Sequence, residues 1–265
     1  MFAKQDYTLN KYKDLCKTII NSNYLVVTLD EYLTGNKFKD RNIIIMRHDI
    51  DHNCRYALDL ARIEHEFNIK ATYYFRMNKK TFITKIIDEI ESLGHEIGYH
   101  YETIDRCKGD IEKAQLLFET ELATFRKNYE VKTVCAHGNP LTKYDNKKIW
   151  GNLKLSDYRL LGEAFLALDF NKFAYFSDSG RTWKKNKAQK MPGKDDVVTA
   201  FDQTQAENTD DIIRIIKDGT LFNICILTHP ERWSKNNIDF ITRYLIDLVF
   251  SWGKSGISIY RSLKQ

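Results

Sequence analysis

Two carboxylates and two imidazoles directly follow an apolar segment near the start of the chain. Residues 43–46 are Ile, Ile, Ile and Met, and the next six residues are Arg47, His48, Asp49, Ile50, Asp51 and His52. The apolar run predicts a buried strand, and an unpaired buried charge costs several kcal/mol. Asp49 and Asp51 point to the same side of an extended chain, which suits a divalent metal plus a general base. The alternative is a salt-bridged strand end in which Arg47 neutralises the acids.

Histidines end three further apolar segments of the sequence. His100 follows Gly94-His95-Glu96-Ile97-Gly98-Tyr99, His137 follows Val134-Cys135-Ala136, and His229 follows Ile224-Cys225-Ile226-Leu227-Thr228. A single histidine is more often a hydrogen-bonded core or surface residue than a ligand, and His229 alone could be a strand-end cap. Of the seven histidines, however, only His65 lies in an ordinary helical pattern. Ligands and catalytic groups collect at the carboxyl ends of parallel strands, so the clustering indicates a site.

The elements that must position these side chains alternate along the chain, which favours a parallel α/β barrel. Strands are predicted over residues 43–47, 71–75, a segment ending at 100, 132–135, 173–176, 221–227 and 257–260. Helices are predicted over residues 9–21, 55–67, 81–93, 111–129, 209–217 and 237–251. The helix over 111–129 should direct Leu116, Leu117, Leu122 and Phe125 inward. The long basic stretch over 182–199 is a candidate lid or substrate loop.

The length favours one domain, since a barrel of 265 residues can bury a substantial core. We expect a single catalytic domain over residues 1–265. An N-terminal helical extension, residues 1–40, would cover the bottom of a barrel that spans residues 41–265.

Composition excludes several classes of protein. The net charge of +5 is mild and no Arg-rich helix is present, so we expect no nucleic-acid partner. No run of about 18 apolar residues predicts a membrane span. Five cysteines without paired spacing and an N-terminus without a signal-peptide pattern predict a cytoplasmic protein. A lysine cluster over residues 184–194 is either a solvated loop or a patch that attracts phosphate.

Taken in order, the motifs resemble the polysaccharide deacetylase superfamily, the NodB-homology or carbohydrate esterase family four group, of which this chain would be a divergent member. The five matching segments are residues 48–51, 94–100, 137–140, 178–183 and 227–229. The second segment is the most specific match, and the third and fourth are the least specific. The resemblance runs from about residue 41 to 233, most of the chain.

The resemblance implies a distorted (β/α) barrel of the seven-stranded polysaccharide deacetylase type. It also implies metal-dependent hydrolysis of an N-acyl group, usually acetyl, on a sugar. Asp49 would be the general base, Asp51 and His100 metal ligands, and His229 the general acid. The expected cofactor is a divalent metal, with Zn²⁺ first. Such an ion would polarise the amide carbonyl and activate a water from which Asp49 takes the proton.

The sequence departs from the family pattern at one metal ligand. The family's second metal histidine, four residues after the first, corresponds here to Ile104, which cannot bind a metal. His137 is the first candidate for a replacement, followed by Glu102 and His52.

The arginine usual near the third motif is also displaced, and Arg181 is the candidate to serve instead. Asp178 and Arg181 would hold Asp49 in place or adjust its pKa. The candidate substrate-binding residues are Trp183, Asn139, Tyr101 and Glu102. Alternatively, Arg181 and Trp183 belong to a surface loop with a packed tryptophan.

These motifs predict a metal-dependent amide hydrolase that acts on an N-acylated sugar, either a small molecule or an oligosaccharide. The absence of an export signal favours a precursor in bacterial surface-polysaccharide or O-antigen biosynthesis over a finished wall polymer. One alternative is hydrolysis of another linear amide, such as a formyl group or a non-sugar substrate. Another is a catalytically inactive barrel that binds carbohydrate. Ile104 favours that last hypothesis, whereas the intact Asp49, Asp51, His100 and His229 weigh against it.

Overall fold

A computed structural model describes residues 6–35, 38, 41–139, 142–151, 153–183, 205–236 and 238–242. Within this part of the chain, eight strands form one sheet and every strand pair is parallel. The strands are β1 (Leu25–Val27), β2 (Ile43–Ile50), β3 (Thr72–Phe75), β4 (Glu96–Tyr101), β5 (Thr133–Ala136), β6 (Gly162–Glu163), β7 (Phe173–Ser177) and β8 (Asn223–Thr228).

The sheet has the strand order β6-β5-β4-β3-β2-β8-β7, and β1 pairs with β2 outside this path. Two strands, β1 and β3, pair with the same edge of β2. β1 pairs with the first part of β2, where Leu25 lies opposite Ile43, and β3 pairs with the last part, which starts at Arg47. The predicted fold class is confirmed, since seven parallel strands form one continuous, curled half-barrel. Parallel pairing brings the carboxyl ends of all these strands to one edge of the sheet.

Seven α-helices whose two ends are both described connect or flank the strands, and residues 238–242 are helical as well. The seven are α1 (Leu9–Ile20), α2 (Leu29–Thr34), α3 (Arg55–Glu66), α4 (Thr84–Ser92), α5 (Thr103–Arg106), α6 (Ile111–Phe125) and α7 (Thr209–Asp218). Short 3₁₀ segments cover Asn146–Gly151, Leu155–Tyr158 and Pro230–Arg232. None of the helices in these ranges is long and apolar enough to cross a membrane.

The central strand β2 is longer than predicted, because polar side chains within it find buried partners. All eight of its residues are buried. On one face, His48 donates from Nε2 to Glu64 Oε1 over 2.8 Å. Glu64 also accepts hydrogen bonds from the hydroxyls of Tyr12 (2.5 Å) and Tyr73 (2.6 Å). This network satisfies the polar groups that would otherwise end a buried strand and ties α1, α3 and β3 to it.

The N-terminal segment does not lie where we expected it. The amide of Leu9, at the start of α1, donates to the carbonyl of Ser234 near the carboxyl edge of the sheet (2.9 Å). Beyond the end of α1, the Tyr24 hydroxyl donates to the Leu221 carbonyl just before β8 (2.6 Å). The helix therefore runs along the side of the sheet, against α3 and α7, and does not cover its bottom. The segment before residue 40 is also not purely helical, since β1 joins the sheet; the domain boundary stays a prediction.

The predicted inward face of α6 is partly wrong. Leu116 is 65% exposed and Leu117 is half-buried, whereas Leu122 and Phe125 are buried as expected. Phe118, which the prediction omitted, is fully buried. The predicted strand over 257–260, most of the stretch over 182–199 and most of the helix over 237–251 lie outside the described residues.

Candidate active site at the carboxyl edge of the sheet

Six of the ionisable side chains singled out in the sequence lie together where the strands end. They are Asp49 and Asp51 at the end of β2, His100 in β4, His137 after β5, Asp178 after β7 and His229 after β8. Because β4, β5, β7 and β8 flank β2 and β3 in one parallel sheet, residues far apart in sequence become neighbours at this edge.

The carboxylate of Asp51 faces two imidazoles. Its Oδ1 lies 3.0 Å from His137 Nδ1 and 3.4 Å from His100 Nε2, and these two nitrogens lie 3.3 Å apart. Donors about 2.0–2.1 Å from a tetrahedral zinc ion would lie about 3.3 Å from one another. The three atoms thus have the mutual spacing of a zinc ligand set.

Main-chain groups of neighbouring strands position both histidines. His100 Nδ1 donates to the Cys135 carbonyl over 3.0 Å, which leaves Nε2 directed at Asp51. The amide of His137 donates to the Tyr101 carbonyl of the neighbouring strand over 2.8 Å. Burial alone would lower the pKa of His100, but the carboxylates of Asp49 and Asp51 outweigh it and raise that pKa.

The Asp49 carboxylate is held by Arg47 on the same strand. Arg47 donates from Nε to Oδ1 (2.9 Å) and from Nη2 to Oδ2 (2.7 Å), and both residues are buried. Burial would raise the pKa of Asp49, but the guanidinium outweighs it and keeps the carboxyl charged at neutral pH. The sequence-based expectation that Asp178 and Arg181 hold Asp49 is therefore wrong. Our alternative interpretation was a strand end at which Arg47 neutralises the acids. It is correct for Asp49 but not for Asp51.

Asp178 instead holds His229. Its Oδ1 accepts from His229 Nδ1 over 2.6 Å, and Trp233 Nε1 donates to its Oδ2 over 3.0 Å. Burial and the nearby Arg232 disfavour the charged imidazole, but Asp178 outweighs them and raises the pKa of His229 to about 9. Because this pKa lies above 7, the ring of His229 carries a proton at neutral pH. Its Nε2 faces Asp51 Oδ2 at 3.8 Å.

The arginine that contacts Asp178 is Arg232, which the sequence analysis missed. Its Nη1 donates to Asp178 Oδ1 over 2.9 Å. Arg181 lies elsewhere, with its own Nη1 bonded to the Arg232 carbonyl (2.8 Å) and its guanidinium over the Phe240 ring. The sequence did contain a signal for this contact, because Arg232 follows His229 by three residues, about one helical turn, in the segment His-Pro-Glu-Arg.

Two of the candidate substrate-binding residues are buried in the core. Tyr101 has no exposed surface, and its hydroxyl accepts a hydrogen bond from Trp150 Nε1 (2.8 Å). Trp183 is 3% exposed and donates to Thr209 Oγ1 (3.0 Å). Neither ring offers a surface to a substrate, so we remove both from that set and assign them to packing.

Of the other two candidates, Glu102 is linked to Asp51 through Arg76. Glu102 accepts from Arg76 Nη2 over 2.5 Å, and Arg76 Nη1 donates to the Asp51 carbonyl over 2.8 Å. Arg76 and Glu102 therefore add polar groups beside Asp51. Asn139 is half-buried, two residues after His137.

Ile104 is buried in the core, on the short helix α5. Among the candidate replacements, His137 faces both Asp51 and His100, whereas Glu102 is engaged with Arg76.

Comparisons with known proteins add little to this geometry. No protein-family model matches the sequence, and a search of the curated proteins finds no match. A Streptococcus pyogenes deacetylase, PplD, in complex with acetate aligns at 11% identity and a TM-score of 0.40 over 50% of this chain. That alignment spans 64% of PplD, under two thirds of its length. A Streptococcus mutans CE4 esterase aligns at 13% identity and a TM-score of 0.39, covering 82% of this chain and 83% of that one. Similarities of this size carry no conclusion about activity.

Proposed function

We propose that this protein is a metal-dependent hydrolase that removes an N-acyl group, acetyl foremost, from a sugar. The observation that supports the proposal is the position of the three donor atoms on Asp51, His100 and His137. They lie between a buried carboxylate, Asp49, and an imidazole held in its charged form, His229.

The donor set fits a divalent cation. One carboxylate and two imidazoles are the ligands that Zn²⁺ takes in hydrolases with an open coordination position. A cation held by Asp51, His100 and His137 would supply Lewis acidity to the acyl carbonyl and to the attacking water. The Cys135 carbonyl fixes the tautomer of His100 that such binding requires.

Asp49 and His229 divide the proton transfers between them. Asp49 is charged and fixed by two bonds from Arg47, so it accepts the proton of the attacking water. His229 carries a proton at neutral pH because Asp178 stabilises the imidazolium, and it donates that proton to the leaving nitrogen. An amine leaves an amide only when protonated, which explains why a raised pKa suits this residue.

The sugar substrate rests on two supports. The five motif segments resemble those of polysaccharide deacetylases, and the polar side chains of Arg76 and Glu102 lie beside Asp51, where they can bind hydroxyl groups. A role on a precursor in surface-polysaccharide or O-antigen biosynthesis, in the cytoplasm, is part of the same proposal.

Metal content and acyl release test the proposal together. We expect about one equivalent of Zn²⁺ in protein purified without a metal column, loss of that metal in His100→Ala, and its retention in His65→Ala, an exposed histidine on α3. Acetate release from N-acetylated sugars should disappear in Asp49→Asn while its metal content stays near that of the wild type.

Other outcomes separate the alternatives. Release of formate, or turnover of a non-sugar amide alone, would show that the substrate differs from the one proposed while the hydrolytic chemistry is the same. Carbohydrate binding without turnover in the metal-loaded protein would favour the inactive barrel. Absence of metal even after reconstitution would refute the metal centre.

A further inference from the structure

A buried polar cluster lies behind the candidate active site and has no part in the mechanism above. Its centre is the carboxylate of Glu64 on α3, which has no exposed surface. The hydroxyls of Tyr12 and Tyr73 donate to this carboxylate over 2.5 and 2.6 Å, and His48 Nε2 donates to it over 2.8 Å. These donors satisfy the buried carboxylate and fix the position of the His48 ring.

The second nitrogen of His48 reaches the neighbouring strand β8. Nδ1 lies 2.6 Å from the hydroxyl oxygen of Thr228, and both side chains are fully buried. In the neutral imidazole, Nε2 carries the proton that Glu64 accepts, so Nδ1 accepts the hydrogen bond of the Thr228 hydroxyl. One ring therefore links α3 to the end of β8.

The His48–Thr228 contact lies at the last residue pair of β2 and β8. The register of the two strands ends where His48 lies opposite Thr228. The next residue on β2 is Asp49, the proposed base, and the first residue after β8 is His229, the proposed acid. Each member of the contact directly precedes one of the two groups that transfer protons.

His48 and Asp49 point to opposite faces of the sheet, as successive residues of a strand do. The His48 ring packs against the rings of Tyr73 and Tyr12, with centroid distances of 4.3 and 6.4 Å. The Asp49 carboxylate instead lies against the Arg47 guanidinium on the other face. His48 therefore acts on the site through the main chain of the two strands, as a positioning residue.

The position of the acid depends on the main chain at the end of β8. The His229 amide donates to both carboxylate oxygens of Asp178, over 3.1 and 3.0 Å, and Nδ1 donates to one of them over 2.6 Å. A shift of the main chain after Thr228 would move this amide and this ring together. A misplacement of about 1 Å in a catalytic group can cost about a hundredfold in rate.

We propose that His48 positions the general acid by fixing the end of β8 against β2 through Thr228. The inference rests on the proposed function in so far as His229 is the proton donor, whereas the His48–Thr228 contact itself belongs to the fold. Without this contact, the main chain that carries His229 can shift relative to Asp49.

Amide hydrogen exchange tests the contact without any substrate. Exchange of the His229 amide is followed by NMR at neutral pH in metal-free protein, with the Cys225 amide in the middle of β8 as the internal reference. Thr228→Val keeps the shape of the side chain but removes the hydroxyl, so the His229 amide should exchange about tenfold faster while the Cys225 amide does not. Thr228→Ser keeps the hydroxyl and should exchange as the wild type does.

A double-mutant cycle shows whether both side chains act through one bond. In His48→Gln, the side-chain amide can still donate to Glu64 but offers Thr228 no acceptor at the position of Nδ1. This variant should accelerate exchange of the His229 amide as Thr228→Val does. The two changes together should have no larger effect than either alone, because both remove the same contact.

Turnover supplies the second measurement. In zinc-loaded protein, kcat for acetate release should fall about tenfold in Thr228→Val with KM nearly unchanged, because the contact positions the proton donor and does not bind substrate. Thr228→Ser should restore kcat.

The matched control is Thr72→Val. Thr72 is also a fully buried threonine of the sheet, but its hydroxyl donates to Glu96 over 2.7 Å at the opposite edge, where β3 and β4 begin. This variant should keep the wild-type exchange of the His229 amide and the wild-type kcat, even where its melting temperature falls as far as that of Thr228→Val.

The outcomes separate the contact from the proposed function. Unchanged exchange of the His229 amide in Thr228→Val, or equal acceleration in Thr72→Val, would overturn the His48–Thr228 contact as a restraint on β8. Faster exchange with an unchanged kcat would overturn its role in positioning the acid. Absence of acetate release in the wild type, with the expected exchange pattern, would refute the proposed function and leave the restraint on β8 standing.

Discussion

Replacing Asp178 with asparagine should reverse the protonation state of His229 at neutral pH. Four influences on this imidazole are visible in the structure. Burial and Arg232 lower its pKa, whereas Asp178 and, to a smaller extent, Asp51 raise it, with a net value of about 9 against an ordinary 6.5. Asparagine keeps an oxygen that can accept a hydrogen bond from His229 but removes the negative charge. Burial, Arg232 and the smaller effect of Asp51 then remain, so the pKa of His229 should fall from about 9 toward its ordinary 6.5.

The size of the effect follows from these values. A fall from about 9 to 6.5 corresponds to roughly 3 kcal/mol, at about 1.4 kcal/mol for each pKa unit. At pH 7.5 the wild-type ring is charged in about 97% of molecules, and a ring whose pKa has returned to 6.5 in about 10%. If His229 is the proton donor, turnover at this pH should drop by about tenfold from protonation alone, and the basic limb of the pH profile should move down with the pKa.

Proton NMR of the imidazole, recorded against pH in metal-free protein, measures the pKa without any substrate. Asp169→Asn is the control, because that aspartate is exposed and pairs with Lys172 on the surface. Arg232→Gln should act in the opposite direction and raise the pKa of His229, which general destabilisation could not mimic. A titration of His229 within about half a pH unit of the wild type in Asp178→Asn would refute the electrostatic reasoning.

Three further predictions concern stability. Arg47→Gln leaves the buried Asp49 without its partner, so the free energy of unfolding in urea should fall by about 3–5 kcal/mol, and a loss below about 1 kcal/mol would contradict the buried ion pair. Burial and a neighbouring carboxylate raise the pKa of Glu96 to about 7 from 4.5, so its contribution to stability is present below pH 4.5 and is lost as the pH rises through 7. Glu96→Gln should therefore melt at a higher temperature than the wild type at pH 8 and at the same temperature at about pH 4. An equal difference in melting temperature at both pH values would contradict this. Phe118→Ala should cost about 3–5 kcal/mol of unfolding free energy and Leu116→Ala less than about 0.5, and equal losses would mean that the buried face of α6 is misassigned.

The site was predictable where the signal was local. An apolar run that ends in Asp49 and Asp51, and another that ends in His100, identify strand ends without knowledge of any contact. Parallel strands then bring such ends together, so the grouping of carboxylates and imidazoles follows from the alternation of strands and helices. Element ends were less predictable, since β2 extends to Ile50 through partners that only the fold supplies.

The errors arose where partners depend on tertiary packing. Arg47 was assigned to neutralise the acids only as an alternative, because the sequence does not show which carboxylate a guanidinium reaches. Arg181 and Trp183 have suitable chemistry, but the ring packs into the core and the guanidinium turns toward Phe240. The missed helix α2 did carry a local signal, because Thr28 and Glu31 form a capping box with the spacing Thr-x-x-Glu.

The position of Ile104 shows why spacing along the chain is a poor guide to a metal ligand. A histidine four residues after His100 would project from α5, but in this protein that helix turns the side chain at this position into the core. The register of the next strand supplies the alternative, because His100 pairs with Cys135 and Tyr101 with Ala136. The first residue beyond this pairing is His137, and its amide donates to the Tyr101 carbonyl. Strand pairing therefore places an imidazole beside His100 without any help from α5, and the absence of a histidine at 104 does not argue against a metal centre.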